Sequence, residues 1–274
     1  MSDQPLEEQV LYRVENSVAW ITLNRPEVAN AITYQQRNYV IDLLQEVNHL
    51  VAVRAVVITA NGKHFCTGAD LRAAQPTYER PEGAPDNEQG FASRNIRMGA
   101  QRLVAAVLDC EKPVIGAING TAAGIGAHIA FACDLVVAAD TAKFIEVFIR
   151  RGIIPDGGGI YLLPRLIGLQ KAKELMFFGD ELAAADALAL GLVNRVVPGD
   201  QLLTAAGELA ARLASSPTRA ISMMKLLLNR SLDSDRATAF YDEAWAQELV
   251  ITTDDMKEGV AAFVERRDPT FKGW

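Results

Sequence analysis

One stretch, from Pro113 to Gly159, limits what this chain can fold into. It reads PVIGAINGTAAGIGAHIAFACDLVVAADTAKFIEVFIRRGIIPDGGG. Val114 to Ile118 is a short apolar run that predicts a strand, and Asn119-Gly120 predicts the turn that ends it. Glycine-interrupted residues then lead into an apolar helix from about Gly124 to Cys133, and Leu135 to Ala139 predicts a second strand. Strand, glycine-opened helix and strand form a crossover unit, which places a parallel sheet beside a helix N-terminus. The N–H groups of a first helical turn lack intrahelical acceptors, and glycines at 120, 124 and 126 let a ligand approach the backbone. Such a site suits an oxygen that becomes negative during reaction.

The flanking sequence extends this pattern. Leu11–Val14 and Val18–Leu23 flank Glu15-Asn16-Ser17 as a β-hairpin, and Thr33 with Gln36 forms a capping box for a helix to about Val51. Ala55–Thr59 is a β-branched strand that turns at Asn61-Gly62, and Ala73 to Gly90 reads as a surface loop. A helix from about Phe91 to Leu108 leads into the central stretch. After Gly159 the pattern is helical. Leu162 to Gly168 predicts a helix, a break and a helix, Gln170–Phe178 and Ala183–Leu190 predict two more helices, and Leu192–Val197 a short strand. Leu202–Leu213, Pro217–Asn229, Asp235–Thr252 and Asp254–Arg267 predict four closing helices. The expected organisation is an α/β core over residues 1–197 and a C-terminal helical region over 198–274.

A formal net charge of −7 argues against a general nucleic-acid binder, and no apolar run reaches the ~18 residues of a membrane span. The acidic, polar start is unlike a signal peptide. Cys66, Cys110 and Cys133 form no CxxC pair and read as buried, reduced thiols. The expectation is a cytoplasmic protein.

Read in order, the landmarks resemble the crotonase (enoyl-CoA hydratase/isomerase) family over nearly the whole chain. They are Leu23-Asn24-Arg25-Pro26 with Asn30-Ala31, Phe65-Cys66-Thr67-Gly68-Ala69-Asp70-Leu71, Ala117-Ile118-Asn119-Gly120 and Ala132-Cys133-Asp134. Gly152-Ile153-Ile154-Pro155, Leu163-Pro164-Arg165, Gly191-Leu192-Val193, Glu258-Gly259 and Phe271-Lys272-Gly273 complete the set. The resemblance implies a spiral of stacked β-β-α turns and C-terminal helices that pack between subunits of a homotrimer or dimer of trimers. It also implies an acyl-CoA thioester substrate, with coenzyme A entering as part of that substrate and neither metal nor redox cofactor. By matching position, the backbone N–H groups of Ala69 and Ile125 would form an oxyanion hole. Glu27, Val28, Ala31 and the segment Ala69-Asp70-Leu71 would contact coenzyme A. Gly124 and Phe148 complete the substrate-binding set, with Phe263 and Arg266 supplied by a neighbouring subunit. The Gly124-Ile125-Gly126 spacing equally suits a tight helix–sheet contact, and Arg266 a solvated helix face.

The chain departs from the hydratases of that family, which hold water between two glutamates. The matching positions here are His128 and Phe148, and Glu146 reaches the site only after a local shift. Asp156 stands where family members that shift double bonds carry an aspartate, so Asp156 becomes the candidate base with His128 as its assistant or hydrogen-bond donor. The plainer alternatives are a turn cap for Asp156 and a core residue for His128. The expected function is double-bond isomerisation of an enoyl-CoA. Two alternatives stand beside it: hydrolysis or C–C cleavage of a cyclic or β-keto acyl-CoA, and acyl-CoA binding without catalysis.

Overall fold

The apolar runs become the strands of two sheets in the computed structural model, which describes residues 5–73, 81–84 and 89–274. After the short α1 (Leu6–Gln9), β1 (Val10–Glu15) and β2 (Val18–Leu23) form the expected antiparallel hairpin, with Asn16 and Ser17 at positive φ. The capping box forms as well. Thr33 Oγ1 accepts from the Gln36 N–H, Gln36 Oε1 accepts from the Thr33 N–H, and α2 (Tyr34–His49) follows. Then come β3 (Ala55–Ala60) and β4 (His64–Cys66). The expected loop from Ala73 to Gly90 falls mostly outside the described residues.

The single helix expected from Phe91 to Leu108 consists of α3 (Phe91–Ile96), a π turn (Arg97–Gln101) and α4 (Arg102–Leu108). The central stretch gives β5 (Val114–Ile118), β6 (Thr121–Ala123), α5 (Ile125–Ala132), β7 (Leu135–Ala139) and β8 (Lys143–Ile145). After it come α6 (Gly159–Ile167), α7 (Leu169–Phe178), β9 (Glu181–Ala183), α8 (Ala184–Ala189) and β10 (Arg195–Val197). Four helices close the chain: α9 (Leu202–Ala214), α10 (Thr218–Ser231), α11 (Arg236–Val250) and α12 (Asp254–Glu265). The helix-break-helix expected over Leu162–Gly168 forms as α6, a break at Gly168 and α7, with Pro164 inside α6. Pro164, the sixth of the nine α6 residues, forfeits one backbone bond, and the break falls at Gly168 at φ 80°.

The larger sheet has the order β1-β2-β3-β5-β7-β10, parallel except for the hairpin; the smaller has the order β4-β6-β8-β9, with β9 antiparallel. Successive strand pairs β3–β4, β5–β6 and β7–β8 each place one strand in either sheet, so the chain spirals through the stack. This is the expected crotonase-like α/β spiral. Alternation explains why β3 is buried throughout. Val56 and Ile58 face the inner core with Val40, Ile41 and Leu44 of α2, whereas Ala55 and Val57 face Leu202, Ala206 and Ala210 of α9. The small residues of α9 let it lie close against the sheet, so the first helix of the C-terminal region covers the core.

The tail is latched back onto the start of β3. Arg54 donates to the Thr218 hydroxyl, the Ser216 carbonyl and the Phe271 carbonyl, at 3.0, 2.7 and 3.1 Å. The buried Asp255 carboxylate accepts from the Lys272 and Gly273 N–H groups. All three cysteines are free and buried, and burial pushes the Cys66 thiol up to about 11. Among the described residues no helix is long and apolar enough to cross a membrane.

Candidate active site

Two backbone segments meet where the sheets turn into α5. Ile32 bridges to Ala69 in parallel fashion: the Ile32 N–H donates to the Gly68 carbonyl and the Asp70 N–H to the Ile32 carbonyl, both at 2.9 Å. In that pattern the Ala69 N–H points away from Ile32. Asp70 is fixed by Arg25 Nη1 at 3.1 Å, and Arg25 also donates to the Ala31 carbonyl and Gln36. One buried guanidinium thus ties the segment around Ala31 to the segment around Ala69. Opposite, Ile125 is the first residue of α5, so its N–H has no intrahelical acceptor and lies at the positive end of the helix. Gly124 precedes it at φ 55° and ψ −125°, a conformation that glycine alone adopts readily. Gly126 is required by contact, because a Cβ there would stand 2.1 Å from the Cys66 carbonyl oxygen.

Ala69 and Ile125 line one cavity of about 180 Å³, together with Asp70, Leu71, Gly124, Phe148 and Asp156. Asp156 is half-buried on the turn before α6. Burial pushes its carboxyl above the ordinary range. His128 and the Asp156 and Gly157 amides pull it back, and Glu146 adds to the rise.

His128 lies in the first turn of α5, where the sequence places it, and takes the core alternative rather than bonding to Asp156. It is fully buried in α5, and its Nε2 meets both Glu146 carboxylate oxygens, at 3.1 and 3.2 Å; Glu146, not Asp156, is its hydrogen-bond partner. The reason is the short 3-10 turn Val147–Arg151. It brings the Phe148 ring onto the imidazole, centroids 5.2 Å apart and 16° from parallel, and leaves Glu146 inside, also buried. On its other side the ring abuts the glycine turn. A Cβ on Gly157 would stand 2.8 Å from His128 Nδ1, and one on Gly159 2.2 Å from Nε2. The imidazole therefore fills the space beneath the turn that carries Asp156. His128 Nδ1 has no hydrogen-bond partner.

Glu27, Val28 and Ala31 stand outside the cavity wall, on the neighbouring segment around a 3-10 turn at Pro26–Val28. Phe263, 85% exposed, and Arg266, at positive φ after α12, are not on that wall either. The wall also holds residues that sequence reasoning missed: Tyr34, Arg37, Ala100 and Arg151. Tyr34 and Arg37 lie one turn apart at the start of α2, a spacing visible beside Ala31. Ala100 reaches the wall through the π turn, for which the sequence carries no signal. Among the described residues no group of three or more His, Cys, Asp or Glu is placed to hold a metal.

Comparison with known proteins accords with the fold. Residues 13–274 match the family model described as enoyl-CoA hydratase/isomerase. The chain is 35% identical to the 1,2-epoxyphenylacetyl-CoA isomerase of Escherichia coli (strain K12), over 97% of this chain and 99% of that protein. It is 34% identical to the crotonyl-CoA hydratase of Syntrophomonas wolfei, over 96% and 98%. The crystal structure of enoyl-CoA hydratase from Bacillus anthracis superposes with a TM-score of 0.87 at 34% identity, covering 97% of this chain and 100% of that one. With the fold, the ordered landmarks and the match over nearly its whole length in agreement, the chain belongs to the enoyl-CoA hydratase/isomerase, or crotonase, family.

Proposed function

We propose that the protein isomerises an enoyl-CoA by forming a thioester enolate and moving one proton, with Asp156 as the base. The position of Asp156 carries this reading. Among the described residues, the cavity wall that holds Ala69 and Ile125 has two carboxylates, and Asp70 is already engaged by Arg25. Glu146 is sealed behind Phe148.

The thioester oxygen would sit between the Ala69 and Ile125 N–H groups, where one such donor contributes ~3 kcal/mol to a developing oxyanion. Asp156 takes a proton from the α or γ carbon and returns it to the other end of the delocalised enolate, so the product has the composition of the substrate. Phe148 and the buried His128 leave no pair of carboxylates to hold an attacking water. The chemistry needs no cofactor beyond the coenzyme A of the substrate. The same reading makes the protein a homotrimer or dimer of trimers in which Phe263 and Arg266 complete a neighbour's coenzyme A site. Hydration is the second reading, favoured by the similarity to a crotonyl-CoA hydratase.

The test uses a 3-enoyl-CoA in deuterated water. Isomerisation gives the 2-enoyl product with at most solvent deuterium added, whereas hydration adds the mass of water. Asp156→Asn is expected to bind the substrate nearly as well and to turn it over at least ~10²-fold more slowly. Equal rates for the two proteins would remove Asp156 from the mechanism.

A further inference from the structure

A second crevice, of about 350 Å³, lies where the C-terminal end of α2 faces the N-terminal end of α10; its wall includes His49, Glu111, Lys112, Thr218, Arg219 and Trp274. It shares no wall residue with the cavity around Asp156. Lys112 is 4% exposed, and among the described residues its ammonium group has no hydrogen-bond acceptor and no ion-paired carboxylate, while its backbone carbonyl accepts from Lys225. Glu111, on the same wall, pairs with Arg219 at 3.4 Å. Burial of the side chain, with Arg219 and Arg54 adding to it, draws the Lys112 amine below its ordinary range against the pull of Glu111.

A second feature of the crevice points the same way. The 14-residue α10 begins after Pro217, which makes no side-chain cap, and among the described residues no side chain caps the first-turn N–H groups beside Thr218 and Arg219. Helix N-termini of this kind attract anions, and an arginine already paired on one edge keeps further donors free for another oxyanion. The crevice volume falls at the lower end of the range for small-molecule sites, and Trp274 and Val51 supply an apolar wall.

We propose that this crevice binds a phosphate group, free or carried by a small metabolite, through Lys112 Nζ, the Arg219 guanidinium and the first-turn N–H groups of α10. The proposal is independent of the function assigned to the Asp156 cavity. Isothermal titration of the full chain with inorganic phosphate and with glycerol 3-phosphate, at constant ionic strength in chloride, tests it. Saturable binding is expected, weakened at least tenfold in Lys112→Gln and less in Arg219→Gln, with acyl-CoA affinity unchanged in both. Tighter binding of glycerol 3-phosphate identifies a carried phosphate, and equal or tighter binding of inorganic phosphate identifies the free ion. Circular dichroism checks that each variant is folded, and Arg219→Gln carries the test if Lys112→Gln is not. No saturable heat with either probe, equal affinity in the wild type and both variants, or a parallel loss of acyl-CoA binding would overturn the proposal.

Discussion

Asp156 has to act at neutral pH as a base in a partly dry cavity, and its surroundings oppose one another. Burial and Glu146 raise its pKa, while His128 and two backbone amides lower it. The base works deprotonated, so turnover should fall as pH drops through the raised value, at a higher pH than for an ordinary aspartate near ~3.9. A folded-state pKa above the unfolded one contributes stability that is present below the unfolded value and lost as pH rises through the folded value. Asp156→Asn cannot ionise and should therefore gain in melting temperature relative to wild type across that window. Melting curves measured from acid to neutral pH check this, and a variant that becomes steadily less stable would make Asp156 a turn cap. Glu146→Gln keeps an acceptor for the His128 ring, so turnover should stay within about tenfold. A hundredfold fall would make Glu146 the base. Asp156 was legible from its place after Pro155 and before three glycines. The burial of Glu146 was not, because it depends on which way the 3-10 turn at Val147–Arg151 points alternate side chains.

At the scale of elements, α5 is positioned by what it lacks. Gly126 lets the helix lie against Cys66 of β4, and that closeness sets where the Ile125 N–H points. Gly126→Ala puts a methyl group 2.1 Å from the Cys66 carbonyl oxygen, so helix or strand must shift. A loss of about 3 kcal/mol is expected, read by denaturant unfolding, with turnover falling more than substrate affinity. The long strands, the capping box at Thr33 and the glycine-opened helix were readable because each has a local cause. The smaller sheet was harder to see. Its strands at His64–Cys66, Thr121–Ala123, Lys143–Ile145 and Glu181–Ala183 are three residues each, too short for alternation to register. The π turn that aims Ala100 at the cavity leaves no composition signal.

At the scale of the molecule, the C-terminal helices carry more apolar surface than a monomer should show. None of the α11 residues is buried, and Phe240, Trp245 and Leu249 along it are exposed, as are Leu226 and Phe263 on its neighbours; Leu227 is half-buried. Such a surface marks an interface. Light scattering at micromolar concentration should report a trimer or hexamer, and Trp245→Asp with Phe240→Asp should lower that mass and weaken acyl-CoA binding. A monomeric wild type with full affinity would refute this. The Arg54 latch has a consequence for how the protein is made. Its Thr218 and Phe271 partners lie 164 and 217 residues downstream, so Arg54 leaves the ribosome long before either exists. At ~5–20 residues per second the last of them follows roughly 10–40 s later. Through that interval the nascent sheet lacks its clasp, and until Ala214 has been made it lacks its α9 cover as well. Exposure to chaperones and to aggregation thus narrows once α9 can cover the sheet and ends only with translation of the final residues.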